Sequence, residues 1–165
     1  MLQQLRTYTI FFARLALSTA FLSSVADRAG LWGPPGATGV SWGTFANFEG
    51  YTGALLPFLP HALVPVAAWA ATVAELTLGL ALLAGFQTRW SALASGALLL
   101  TFAAALGLFV TPQKPFSGSV FSAAAAAFLI AAAPAASYVW SADHLLRGTG
   151  VRLPRGGQSG ERLRA

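Results

Sequence analysis

Residues 62–86 read ALVPVAAWAATVAELTLGLALLAGF. A helix of about 20 apolar residues crosses the ~30 Å hydrocarbon core of a bilayer, and this stretch exceeds that length. Pro65 falls in the first turn, where a helix tolerates it. The one ionisable residue is Glu75, near the middle. An acid at that depth is costly unless it is paired, hydrated or protonated. Helical spacing sets Ala68, Ala71, Thr72, Glu75, Leu78 and Gly79 on one face, and their small side chains admit a neighbouring helix or a ligand.

Three further stretches have the same character: Ile10–Ala26, interrupted by Arg14; Ala92–Val110, without charge; and Val120–Trp140, with Pro134 expected to kink it. Each must be helical, because an isolated segment in lipid has to satisfy its own backbone. The bulk composition agrees. Charged residues make up 9% of the 165 and hydrophobic ones 56%, against roughly 25% and 45–50% in soluble domains. Mean hydropathy is +0.64. The sequence therefore predicts an all-α integral membrane four-helix bundle. Its transmembrane domain covers residues 1–145, and a basic, disordered tail covers 146–165. The first helix also resembles a secretory signal ending at Ser24-Val25-Ala26, but Arg14 inside the apolar run argues for an uncleaved span.

Half of the ten basic residues (Arg147, Arg152, Arg155, Arg162 and Arg164) lie near the C-terminus. With both termini in the cytoplasm, these, Arg6 and Arg89 stay inside, while Arg28 and Lys114 fall outside. That is the topology expected of a bacterial inner-membrane protein. The net charge of +5 is thus topological, and no aromatic-interleaved basic surface points to nucleic acid. Arg89 is placed at the hairpin between the second and third spans, where a cation suits the helix C-terminal carbonyls.

The external loop Asp27–His61 is long, rich in glycine and proline, and carries Trp32, Trp42, Phe45, Phe48 and Tyr51. Unstructured loops of this length are uncommon. Ser41–Leu56 reads as an interfacial helix with its aromatic side at headgroup depth. The aromatic cluster serves either as a belt anchoring the loop or as the wall of a ligand site. In the third span Ser91, Ala92, Ser95 and Gly96, followed by Ala103 and Gly107, mark a small-residue packing seam.

Arg14 is the candidate partner of Glu75, but in antiparallel helices the two side chains lean towards opposite surfaces. Direct pairing needs a vertical offset, a water or a bridging molecule; the alternative is that Arg14 snorkels to the headgroups. His61 and His144 fall at opposite membrane faces, which rules out one haem bound by both. The absence of cysteine excludes disulfides, covalent haem and thiolate iron–sulfur ligation, and no metal site is expected.

A series of short pieces resembles the DoxX family of small bacterial membrane proteins. They run from Ala13-Arg14-Leu15-Ala16-Leu17, through Phe21-Leu22-Ser23-Ser24-Val25-Ala26-Asp27-Arg28, Gly30-Leu31-Trp32-Gly33, Trp42-Gly43 and Tyr51-Thr52. They continue with Ala71-Thr72-Val73-Ala74-Glu75, Gly79, Leu82-Leu83-Ala84-Gly85 and Thr88-Arg89, and end at Lys114-Pro115 and Ser119-Val120-Phe121. The resemblance implies a four-helix bundle similar to the membrane subunit of thiosulfate:quinone oxidoreductases, or to membrane components of thiol-redox complexes. On that reading the chain is a non-autonomous, quinone-interacting subunit. Arg14 and Glu75 orient or protonate the quinone, and Trp32, Trp42, Tyr51 and Thr72 contact quinone or lipid. A soluble redox protein or membrane partner supplies the electrons, and a second copy of the chain is a further candidate partner. The competing class is a non-catalytic anchor or assembly factor that docks partners through its loop or tail. A transporter fits less well, since four helices and one buried acid leave little room for two gates.

Overall fold

The computed structural model describes residues 1–148, so the expected tail lies almost entirely outside the described residues. Helix α1 spans Leu2–Arg28, α2 Phe45–Leu55, α3 Val64–Ala84, α4 Thr88–Phe109, α5 Lys114–Ser117, α6 Val120–Ala132 and α7 Ala142–Gly148. No strand occurs among the described residues. Helix α1, the segment from His61 through α3, and α4 are each long and apolar enough to cross a membrane. The protein is a multi-pass membrane protein.

The expected fourth span is not one long helix. Helix α6 has 13 residues, about 20 Å of rise, short of the ~30 Å core. Pro134 ends it instead of kinking it: a 3₁₀ turn follows at Ala135–Ser137, and Tyr138 to Ser141 are irregular. Proline has no N–H to offer the carbonyl four residues earlier, so the Ile130 oxygen loses that helical partner and accepts instead from the Ala133 amide at 3.2 Å. The buried Tyr138 hydroxyl donates to that oxygen at 2.8 Å, with the Ala133 carbonyl at 3.2 Å. Non-helical backbone at membrane depth survives only when buried polar groups satisfy it in this way.

The helices alternate in direction. Arg14 lies against Leu82 and Leu83, Phe21 and Leu22 against Gly79, and Arg28 against Thr72 and Glu75, so α1 and α3 run antiparallel. Gly79 allows a close approach there, since a Cβ would sit 3.1 Å from the Leu22 side chain. The seam expected on α4 is buried at Ser91, Ala92, Ser95, Gly96 and Ala103. At Gly96 it is closed by the Phe128 ring of α6.

One end of the bundle is tied by a polar knot. Arg14 is buried and its guanidinium donates to four carbonyls, those of Leu82 (2.9 Å), Leu83 (3.4 Å), Val139 (3.4 Å) and Trp140 (3.2 Å). It is thus the cation on the C-terminal carbonyls of α3, the role expected of Arg89, which is exposed. The Asp143 carboxylate accepts from the Gln87 and Thr88 amides at 2.8 and 2.7 Å, and so caps α4 from across the structure. Gly85, at φ 67°, lets the chain turn between these groups, with Arg14 Nη2 only 2.8 Å from where a Cβ would stand.

Two outcomes follow at this knot. Tyr138→Phe removes the shorter of the two hydrogen bonds at the Ile130 carbonyl and leaves that from the Ala133 amide, and should lower stability by about 0.5–1.5 kcal/mol, read from unfolding in detergent. Gly85→Ala, strained in backbone and crowding Arg14, should cost more than Tyr138→Phe in the same assay.

Candidate functional site

The opposite end of α1 carries the candidate site. Two residues beyond the expected end of the first span, α1 still runs, and its last residue is Arg28. Side chains on a helix lean towards its N-terminus. Arg28 therefore leans back into the bundle from the end of α1, while Glu75 on antiparallel α3 leans up to meet it. Arg28 Nη2 lies 3.0 Å from Glu75 Oε1 and 2.8 Å from Oε2. Both side chains are almost fully buried, at 3% and 4% exposure.

The rest of the guanidinium is held from several sides. Nη1 donates to Thr72 Oγ1 at 2.9 Å, and Thr72 in turn donates to the Ala68 carbonyl. Ser24 Oγ lies 3.4 Å from Nη2, one turn back along α1. The Phe48 ring of α2 covers the cation at 3.6 Å from its centroid, and Trp42 flanks it at 5.1 Å. Such contacts stabilise a desolvated cation more than an exposed one. Two valences remain: Arg28 Nε has no acceptor, and Glu75 Oε2, close to Nη2, makes no aligned hydrogen bond. An open buried donor and an ion-paired carboxylate side by side make a site able to take a polar ligand group.

They border a cavity of about 300 Å³, at the lower end of the ~300–1,000 Å³ typical of ligand sites. Its walls are Phe48, Tyr51, Thr52 and Leu55 of α2, Ala67 and Ala71 of α3, and Leu99, Phe102 and Leu106 of α4. Within the stretch Ser41–Leu56, expected to be helical, α2 covers Phe45–Leu55, with Thr44 as N-cap accepting from the Asn47 amide. Its aromatic side does not simply anchor a loop. Phe45 stacks on Trp69 of α3 at 4.4 Å between ring centroids, and Phe48 and Tyr51 face the cavity.

Of the residues singled out from sequence, Glu75, Trp42 and Tyr51 line this cavity, and Thr72 supports Arg28 from behind. Trp32 is elsewhere, its indole N–H turned back to Ser23. Arg14 belongs to the knot at the other end, separated from Arg28 by about 21 Å of helix rise. The structure does not bring Arg14 and Glu75 together; the leaning of the two side chains, noted above, carries them apart. Sequence reasoning missed Arg28, Ser24 and Thr52, and placed Phe48 only in the aromatic cluster without a site role. The signal for Arg28 was present, because the same leaning rule that separates Arg14 from Glu75 brings Arg28 to it.

A model of the methylamine utilisation protein MauE family matches residues 6–122, which contain most of α1, all of α2 to α5 and every residue of the cavity wall named above. The chain belongs to the MauE family. This corrects the DoxX resemblance. The pieces that carried it are short and built from residues that helix ends and small-residue packing demand in any compact membrane bundle. Trp-Gly, Leu-Leu-Ala-Gly and an arginine inside the first helix are not specific to one family. Comparison with curated proteins and with solved structures gave no match.

Removing one member of a buried pair strands the other charge, at a cost of about 3–5 kcal/mol, whereas replacing both by apolar residues is often neutral. Arg28→Met and Glu75→Leu should each destabilise the MauE-family bundle by that amount, and the double variant should recover most of the loss. Chemical unfolding in mild detergent measures all three.

Proposed function

We propose that this MauE-family protein is a membrane-embedded accessory subunit of a redox system, in the context of methylamine utilisation, and that it holds a quinone headgroup beside Arg28 and Glu75. The observation that carries the reading is a buried ion pair, with one donor, Arg28 Nε, left open, beside an apolar, aromatic-walled cavity of about 300 Å³. The residues fit a quinone. Arg28 Nε is a donor for a carbonyl oxygen, and Glu75 Oε2 is an acceptor for a quinol hydroxyl. Phe48, Tyr51 and Phe102 offer ring contacts. The pair is neutral overall, which favours a dipolar, uncharged headgroup over an anion in this low-dielectric setting.

A bound quinone supplies two-electron carriage within the bilayer. The chain's own part is to bind, orient and handle protons. Arg28, clamped by Thr72 and Phe48, presents a fixed donor. Glu75 holds or releases a proton within reach of the same oxygen. Arg14 is assigned to architecture: four carbonyls take four of its five N–H donors at the far end of α1. The electrons come from a partner protein, since this chain has no cysteine and its charged pair is not redox-active.

The proposed setting is a bacterial inner membrane with both termini cytoplasmic, so that the Arg28 cavity opens towards the external half. Alkaline phosphatase fused after Gly50 should be active and fused after Gln87 inactive; the opposite pattern would invert the topology. Organic extraction of protein purified in mild detergent should yield about one quinone per chain. Glu75→Gln keeps the shape of the acid but removes its charge and titratable proton. It should insert normally and lose most of the bound quinone. Full quinone retention by Glu75→Gln would remove the acid from the site.

A further inference from the structure

Asp27, next to Arg28, is buried at the last turn of α1. A carboxylate there faces the negative end of the helix dipole, an unfavourable place for it. It is held by something else: three successive backbone amides of the distant loop. Oδ2 accepts from Ser41 (2.9 Å) and Trp42 (3.1 Å), and Oδ1 from Gly43 (3.3 Å). Consecutive amides converging on one anion form a nest. Its shape depends on Gly43, at φ 67°, because a Cβ there would lie 2.5 Å from the Pro35 nitrogen. The middle residue of the nest, Trp42, flanks Arg28, touches Phe48 and Tyr51, and lines the cavity. Immediately after the nest, Thr44 caps α2, the helix that forms the cavity's aromatic wall.

We propose that Asp27 is a positioning residue for the Arg28–Glu75 site: by gripping the 41–43 backbone it seats Trp42 and α2 over the cavity and sets how readily small molecules reach the pair. Adjacent residues at one helix end thus divide the work. Arg28 joins α1 to α3, and Asp27 joins the same turn to the cover. The proposal rests on the quinone reading only for its second readout below.

The natural chain has no cysteine, so one introduced at Ala71 on the cavity wall is a unique thiol, and one at exposed Ala97 on α4 serves as control. In full-length protein in detergent, N-ethylmaleimide should modify Ala71→Cys about tenfold faster when Asp27→Ala is added. That factor matches the loss of a charge-assisted hydrogen bond. Ala97→Cys should not change. Asp27→Asn, which keeps one acceptor oxygen, should fall between and provides the test if Asp27→Ala does not fold. The second readout is binding of decylubiquinone. Asp27→Ala and Trp42→Ala should each weaken it by about tenfold, and the double variant should be no weaker than either, because one acts through the other. An unchanged Ala71→Cys rate in both Asp27 variants overturns the proposal, as does equal acceleration at Ala97. So does full additivity of the Asp27 and Trp42 effects. If the unaltered protein binds no decylubiquinone, the quinone reading falls, and the labelling comparison alone decides the role of Asp27.

Discussion

An arginine and a glutamate buried together where lipid surrounds the bundle govern the rest of the molecule. Either charge alone in that setting costs several kcal/mol. Their encounter therefore restricts how α1 and α3 can be aligned: Arg28 at the end of one helix must reach Glu75 in the middle of the other. Thr72 and Ser24 are one turn from the pair on the same faces and supply further acceptors to the guanidinium. Phe48 and Trp42 come from outside the two helices and shield the cation. The small residues Ala67 and Ala71 leave the space in front of the pair unfilled. Packing, polarity and the cavity are thus consequences of one requirement: to keep two charges satisfied away from water.

The other end of the bundle solves a different problem, that of backbone groups freed where helices stop inside an apolar layer. Arg14 gathers carbonyls from two broken ends, Asp143 gathers amides from a third, and Tyr138 repairs the gap that Pro134 opens. These side chains have their hydrogen-bonding partners in the protein, which is why that end reads as architecture. At the Arg28 end a buried ion pair with one donor, Arg28 Nε, left open borders an aromatic-walled cavity, whereas the open groups at the other end are the neutral hydroxyls of Thr88 and Ser137; a charged pair facing a cavity is what marks the candidate site.

Much of this was legible from residue types. The apolar lengths locate α1, α3 and α4; the spacing around Glu75 identifies its buried face; and the serine–alanine–glycine seam of α4 is where α6 packs. The aromatic loop segment is a helix, as its composition suggests. What local patterns do not carry is which arginine meets the glutamate. Arg14 looks buried and Arg28 looks external when helix ends are placed by hydropathy, because the charged last turn of α1 lowers the apolar average. Nor does hydropathy separate a continuous span from α6, a 3₁₀ turn and an irregular return, since alanine-rich and irregular segments score alike. The family was misread for a related reason: short motifs shared by many small bundles order themselves in similar ways, whereas a match along residues 6–122 to the MauE model draws on the whole pattern.

The account stands on the contact between α1 and α3 at this pair, and that contact is directly measurable. In protein reconstituted into lipid bilayers, with ¹⁵N-labelled arginine and ¹³C-labelled glutamate, solid-state NMR dipolar recoupling reports guanidinium–carboxylate distances. The account predicts strong coupling between an Arg28 Nη nitrogen and the Glu75 carboxyl carbon, as nitrogen–oxygen separations of 2.8 and 3.0 Å require. That coupling should vanish in Arg28→Lys and persist in Arg14→Lys. Coupling of Glu75 to Arg14, or none to any arginine, would contradict it.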